Sequence, residues 1–219
     1  MKTNNTRKSA ASETEGAAAT SASAATSATA ERNADGRCAG GSSRSDVSAK
    51  EDSASCGEEF HDFFVDQIKD IYWAEKHLKR GLEKMRRSAT SPKLAAAFEK
   101  HYGEGVKQIA AIEEIFALLG EKPEAKRCEA MAGLLEEADS MVSDTKRNSF
   151  VRDAGLILAA QKVEHYEIAT YGTLSALADY LPERRIKRLI ETTLAMEKKT
   201  DSLLTKLAEE FVNESAAVE

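Results

Sequence analysis

The chain has 219 residues, 42% hydrophobic and 31% charged, an ordinary balance for a soluble protein of one or two domains. Only 3 Pro and 12 Gly leave little room for the turns of an all-β fold, and a net charge of −6 gives no field to attract nucleic acid or an anionic membrane. No stretch is apolar for long enough to span a bilayer. The 3 Cys are odd in number and lack metal-ligand spacing, which argues against a disulfide scaffold and for a reducing cytoplasm.

Residues 1–57 are rich in Ala, Ser and Thr and almost free of large apolar side chains. Such a segment buries too little surface to offset its ordering entropy, so a disordered tail is expected. Its seven basic and seven acidic residues cancel, and it lacks the apolar core of a secretory signal. A helical domain is expected over residues 58–219. Phe60, Phe64, Ile68, Ile71, Leu78, Leu82 and Met85 recur at three and four residues, which predicts a helix to about Arg87 with Glu75 on its apolar stripe. Ser91 and Pro92 then read as the N-cap and first residue of a second helix that stops at Gly120. Its stripe of Leu94, Phe98, Ile112, Ile115 and Leu119 is interrupted by His101, Glu104 and Gln108, with Gly105 sharing the face.

Pro123 opens a third segment, from Glu124 to about Thr145, whose stripe of Cys128, Met131, Leu135, Ala138 and Val142 carries no carboxylate. It is expected to connect across the bundle. Residues 151–178 form the most strongly helical stretch, with Ala154, Ile157, Gln161, Glu164, Ile168 and Tyr171 on one face and His165 and Glu167 beside Glu164. A last helix, starting at Pro182 and running to about Val212, sets Glu197 in an apolar stripe with Asp201 one turn on.

Four long helices thus each place a carboxylate amid apolar residues: Glu75, Glu104, Glu164 and Glu197. One acid on a packing face is weak evidence, because it can equally flank a solvated edge. Four at one height would gather negative charge in a low-dielectric core, which needs cations or protons to persist. Iron, manganese or zinc suit such a set, since carboxylates bridge metals and an imidazole completes the shell. Di-iron carboxylate bundles are built from two helices giving a Glu and two giving Glu-x-x-His.

The stretches DQIKDIYWAEKHL, SPKLAAAFEKHYGEGVKQI, LLGEKPEAKRCEAMAGLLEEA and QKVEHYEIATYGTLSALA resemble the YciE/YciF-type ferritin-like stress proteins. The resemblance covers about residues 60–211 and leaves the tail aside. It implies an all-α, ferritin-like four-helix bundle with a crossover helix between the second and third bundle helices. It further implies a bacterial source, a homodimer and a metal site, for which the carboxylate donor set points to iron or manganese, with two ions possible. Carried over residue by residue, the site would comprise Glu75, His101, Glu104, Glu164, His165 or Glu167, and Glu197 with Asp201. Two features depart from the di-iron pattern: His101-x-x-Glu104 reverses the usual order, and Glu197 is followed at three by Thr200 instead of His. A metal-binding stress protein is therefore the first expectation. A structural or interaction bundle that has lost the chemistry is the second. A DNA-protecting bundle lacks the basic surface that phosphate binding requires.

Overall fold

The structure, a computed structural model, describes residues 48–219, with side chains from residue 57 onward. The expected tail therefore lies outside the described residues, apart from its last ten, which extend the first helix. Helix α1 (Ser48–Ser88) starts ten residues before the expected domain boundary at residue 58. Ala49, Lys50, Glu51 and Ala54 are good helix formers, and adding residues to an existing helix is far easier than nucleating one. Helices α2 (Pro92–Leu119), α4 (Phe150–Leu177) and α5 (Arg184–Leu207) complete four long elements, with α3 (Glu129–Asp144) between α2 and α4. After α5 the chain continues through a π-helical turn, Ala208–Val212, into the short α6 (Asn213–Ala217). No strand occurs among the described residues. This is the expected all-α bundle with its crossover.

The connectivity follows from where the ends lie. α1 and α2 are joined by a turn of residues 89–91, so they run antiparallel. Asp153, near the start of α4, accepts hydrogen bonds from Thr90 N and Ser91 N, each at 2.6 Å, which places the start of α4 beside the start of α2. The chain leaves α2 at the opposite end, so the link to α4 must run the length of the bundle. Helix α2 has 28 residues and spans about 42 Å, whereas the 16 residues of α3 cover only about 24 Å. Residues 121–128 make up the difference in non-helical form, pinned to α1 by Lys126 N to Lys69 O at 3.1 Å and by Lys69 Nζ to Glu124 at 2.5 Å. The third helix therefore starts at Glu129 and not at Glu124 as the sequence predicts. Cys128 is its N-cap, with the sulfur accepting from Met131 N at 3.4 Å.

The caps explain the other boundaries. Gly120 ends α2 at φ 77°, a left-handed conformation that glycine adopts without a side-chain penalty. Ser149 caps α4 through Arg152 N, and Glu183 caps α5 through Arg185 N, two residues later than the predicted start at Pro182. Ser91 holds the N-cap position of α2, but its side chain makes no capping bond. The Asp153 carboxylate instead takes the N–H of Ser91 itself and of the preceding Thr90.

α4 and α5 are antiparallel, paired through Gln161 with Thr205 and His165 with Asp201. α1, α2, α5 and α4 enclose one core, and α3 packs along the α1–α4 side. Phe64, Ile68, Ile71 and Leu78 of α1 meet Phe98, Ile112 and Phe116 of α2 and Leu156, Ile157 and Leu174 of α4 there. Each fully buried side chain of this size contributes about 1.5–3 kcal/mol. Such packing holds polar side chains in the interior that would otherwise be solvated.

Candidate metal centre

Helical periodicity decides which polar residues enter the core. Glu164 and Glu167 are three apart on α4 and both point inward, where they are fully buried. His101 enters from α2 and Glu197 from α5, equally buried. One ligating atom from each of His101, Glu164, Glu167 and Glu197 can be chosen so that all lie within 4.8 Å of one another. His101 Nδ1 stands 3.1 Å from Glu164 Oε1 and Nε2 stands 3.4 Å from Glu197 Oε2. These are ion-pair distances without hydrogen-bond geometry. Both oxygens of Glu164, both of Glu167, Glu197 Oε2, His101 Nε2 and Gln108 Oε1 are buried with no hydrogen-bond partner. Buried polar groups are rarely left so, and a cluster of them needs an explanation.

Glu75 is buried on α1 and accepts from the Tyr171 hydroxyl at 2.5 Å. Gln108, about two turns beyond His101 on α2, donates to Glu197 Oε1. The remaining sequence-predicted positions lie outside this group. Glu104 pairs with Lys100 Nζ at 2.7 Å along the surface of α2. The His165 side chain is 71% exposed and meets Asp201 at 3.3 Å, and Asp201 is also held by Gln161 at 3.2 Å. Of the pair left open on α4, Glu167 is inside and His165 outside. Tyr171 was legible as part of the stripe but not as a hydrogen-bond donor to Glu75; its place two turns from Glu164 was the available signal.

The family described as Domain of unknown function (DUF892) matches residues 59–217. The chain belongs to this family. Protein YciF of Escherichia coli (strain K12) is 46% identical over 156 residues, which is 71% of this chain and 93% of YciF. The crystal structure of the E. coli stress protein YciF superposes with a TM-score of 0.67 at 45% identity, over 70% of this chain and 97% of that one. YcfI from Rhodopseudomonas palustris, whose suggested role is structural, gives a TM-score of 0.64 at 38% identity, over 67% of this chain and 92% of its own.

Burial sets the electrostatics of the site in this DUF892 chain. Loss of hydration, reinforced by the negative Glu197 and opposed by the Tyr171 hydrogen bond, raises Glu75 to about 8. Burial raises Glu164 to about 7 against the pull of His101. Glu167 is driven well above the usual carboxylate range by burial and then by Glu75, Glu197 and Glu164. Burial would lower the His101 imidazole, but Glu164 and Glu197 outweigh it and raise it to about 10. Without a cation, the cluster holds protons that solvated groups would release.

Proposed function

We propose that His101, Glu164, Glu167 and Glu197, with Glu75 beside them, form a carboxylate-rich metal centre for iron or manganese in a stress-related, ferritin-like bundle. The observation that carries this reading is the cluster of unpartnered buried atoms, five of them carboxylate oxygens. The donor set fits a hard or borderline cation: several carboxylates, one imidazole and a buried, water-poor setting. A bound ion would neutralise the carboxylates and supply a Lewis-acidic or redox-active centre. The protein's own contribution is to hold His101 between two acids and to orient Glu197 through Gln108 and Glu75 through Tyr171. Glu104, His165 and Asp201 would act at the periphery of such a centre, since they pair with neighbours at the surface. A homodimer in the cytoplasm completes the proposal, on the strength of the family.

A second reading is favoured by the raised pKa values. A bundle in which Glu75 and Glu167 stay protonated, with His101 charged between the Glu164 and Glu197 carboxylates, could serve a structural role without any ion, in keeping with the role suggested for YcfI. Metal analysis of purified protein, with melting curves in added iron(II) or manganese(II), separates the two. The metal-centre reading expects bound metal and a rise of several degrees in Tm, both lost in Glu164→Gln and Glu197→Gln. Wild-type protein that retains no metal and gains no thermal stability from either ion would support the structural reading.

A further inference from the structure

Gly105 lies at mid-length of α2, where glycine destabilises a helix relative to alanine. A β-carbon built on it would stand 3.6 Å from Gln108 Oε1, 3.7 Å from Lys79 Cγ and 3.9 Å from Glu75 Oε2, all ordinary contacts. Neither backbone nor packing excludes alanine, so glycine leaves a methyl-sized gap. The gap is polar on its inner side. Gln108 is 0% exposed and its Oε1 has no partner, and Glu75 is 1% exposed. Outside it, between α1 and α2, lies a cavity of about 380 Å³ lined by Lys76, Lys79, Arg80, Glu83, Tyr102 and Ile109. Tyr102 and Ile109 stand three residues before and four after the buried Gly105, so the cavity flanks the glycine. Lys79 belongs to both cavity and gap.

Three cationic side chains against one acid make the mouth positive, which repels hydrated divalent cations. The floor offers two buried oxygens, Gln108 Oε1 and Glu75 Oε2, both within 4 Å of the missing methyl's position, and polar groups of this kind hold buried waters. We propose that Gly105 is the port by which a water-sized hydroxylic ligand, water or hydrogen peroxide, docks between Gln108 and Glu75 from the basic cavity. Metal ions enter elsewhere. The use of the port by peroxide rests on the metal-centre reading; its occupancy by water does not.

Two measurements test it, on wild type and on Gly105→Ala, whose melting temperature is expected to be no lower than that of wild type. A high-resolution crystal structure of the metal-free wild type should show an ordered oxygen within hydrogen-bond distance of both Gln108 Oε1 and Glu75 Oε2, displaced by the alanine methyl. A dry gap in the wild type overturns the proposal. Stopped-flow mixing of the iron(II)-loaded proteins with hydrogen peroxide should show at least a tenfold slower reaction in Gly105→Ala, with the rate of iron(II) loading unchanged. Equal peroxide rates, or an equal slowing of loading, also overturn it. If the wild type takes up no metal, the metal-centre reading fails, and the port is decided by the ordered oxygen alone.

Discussion

Glu167 is fully buried, faces three other acids and has no hydrogen bond on either oxygen, so its ionised form is poorly supported. Its neighbours share the trend, which fixes the sign of a pH effect. Glu75 and Glu164 are raised from 4.5 to about 8 and about 7, so between pH 4.5 and 8 the folded chain holds protons that the unfolded chain has lost. Stability then falls with rising pH, since the unfolded state binds fewer protons. His101 acts in the same direction: raised from 6.5 to about 10, its stabilisation is complete below pH 6.5 and lost towards pH 10. The metal-free protein is therefore expected to melt several degrees lower at pH 8.5 than at pH 5, by calorimetry. Glu167→Gln should flatten this slope, and a slope of opposite sign would contradict the assignment of raised values. Metal binding should release protons and tighten from pH 6 to pH 8. At this scale the sequence was legible where the helical period is unambiguous, as at His101, Glu164 and Glu197. Glu104 lies about 60° around α2 from His101, whereas Gly105 and Gln108 lie within about 40° of it, at roughly 100° per residue. Spacing of three or four cannot separate these; the position of α1 and α5 does.

Asp153 is an element-scale counterpart, a buried acid whose role is to join helices. It sits in the first turn of α4, where acidic groups are favoured, and anchors the start of α2 through the backbone N–H groups of Thr90 and Ser91. Its neighbour Arg152 reaches Val142 O at 2.9 Å and also Thr145 O, which closes the C-terminal end of α3. One pair of adjacent residues therefore fixes the start of α2, the end of α3 and the start of α4 at one end of the bundle. Asp153→Ala would leave two backbone donors without their acceptor, one of them on the buried Ser91, and should cost about 2–4 kcal/mol. Ser91→Ala, which removes no capping bond, should cost under about 0.5 kcal/mol. Urea denaturation of both variants checks this; equal losses would show that Ser91 is the working cap. The sequence marked the cap position through Ser91-Pro92 but not its partner, because Asp153 is 62 residues away along the chain. It also marked the crossover correctly as carrying no inward acid. Where that helix starts depends on the distance to be spanned, which no local pattern encodes.

For the whole molecule, the family match begins at residue 59, so a chain starting at Glu58 should retain its helical circular dichroism and lose at most a few degrees in Tm. A larger loss would show that the preceding residues pack on the bundle. The last expectation is self-association. Phe63 and Trp73 are large apolar residues of α1 that lie off its core stripe, and the fold treats them differently. Trp73 is covered within the chain, stacked on His77 at a centroid distance of 3.6 Å and crossed by Arg127 at 5.5 Å. Phe63 stays 50% exposed at the edge of a shallow groove between α1 and α4, with Ala169, Thr173 and Leu177 along it. A single exposed aromatic is ordinary on a protein surface, but one beside small and apolar residues along a groove between two long helices offers a surface on which a second copy can pack. If the dimer forms there, Phe63→Glu should convert it to monomer by sedimentation velocity at tens of micromolar, without loss of helical circular dichroism. The metal content of that monomer should equal the wild type's, since every residue of the centre comes from one chain. A wild-type monomer at that concentration would remove the dimer, and a dimer that survives the substitution would move the interface to another face.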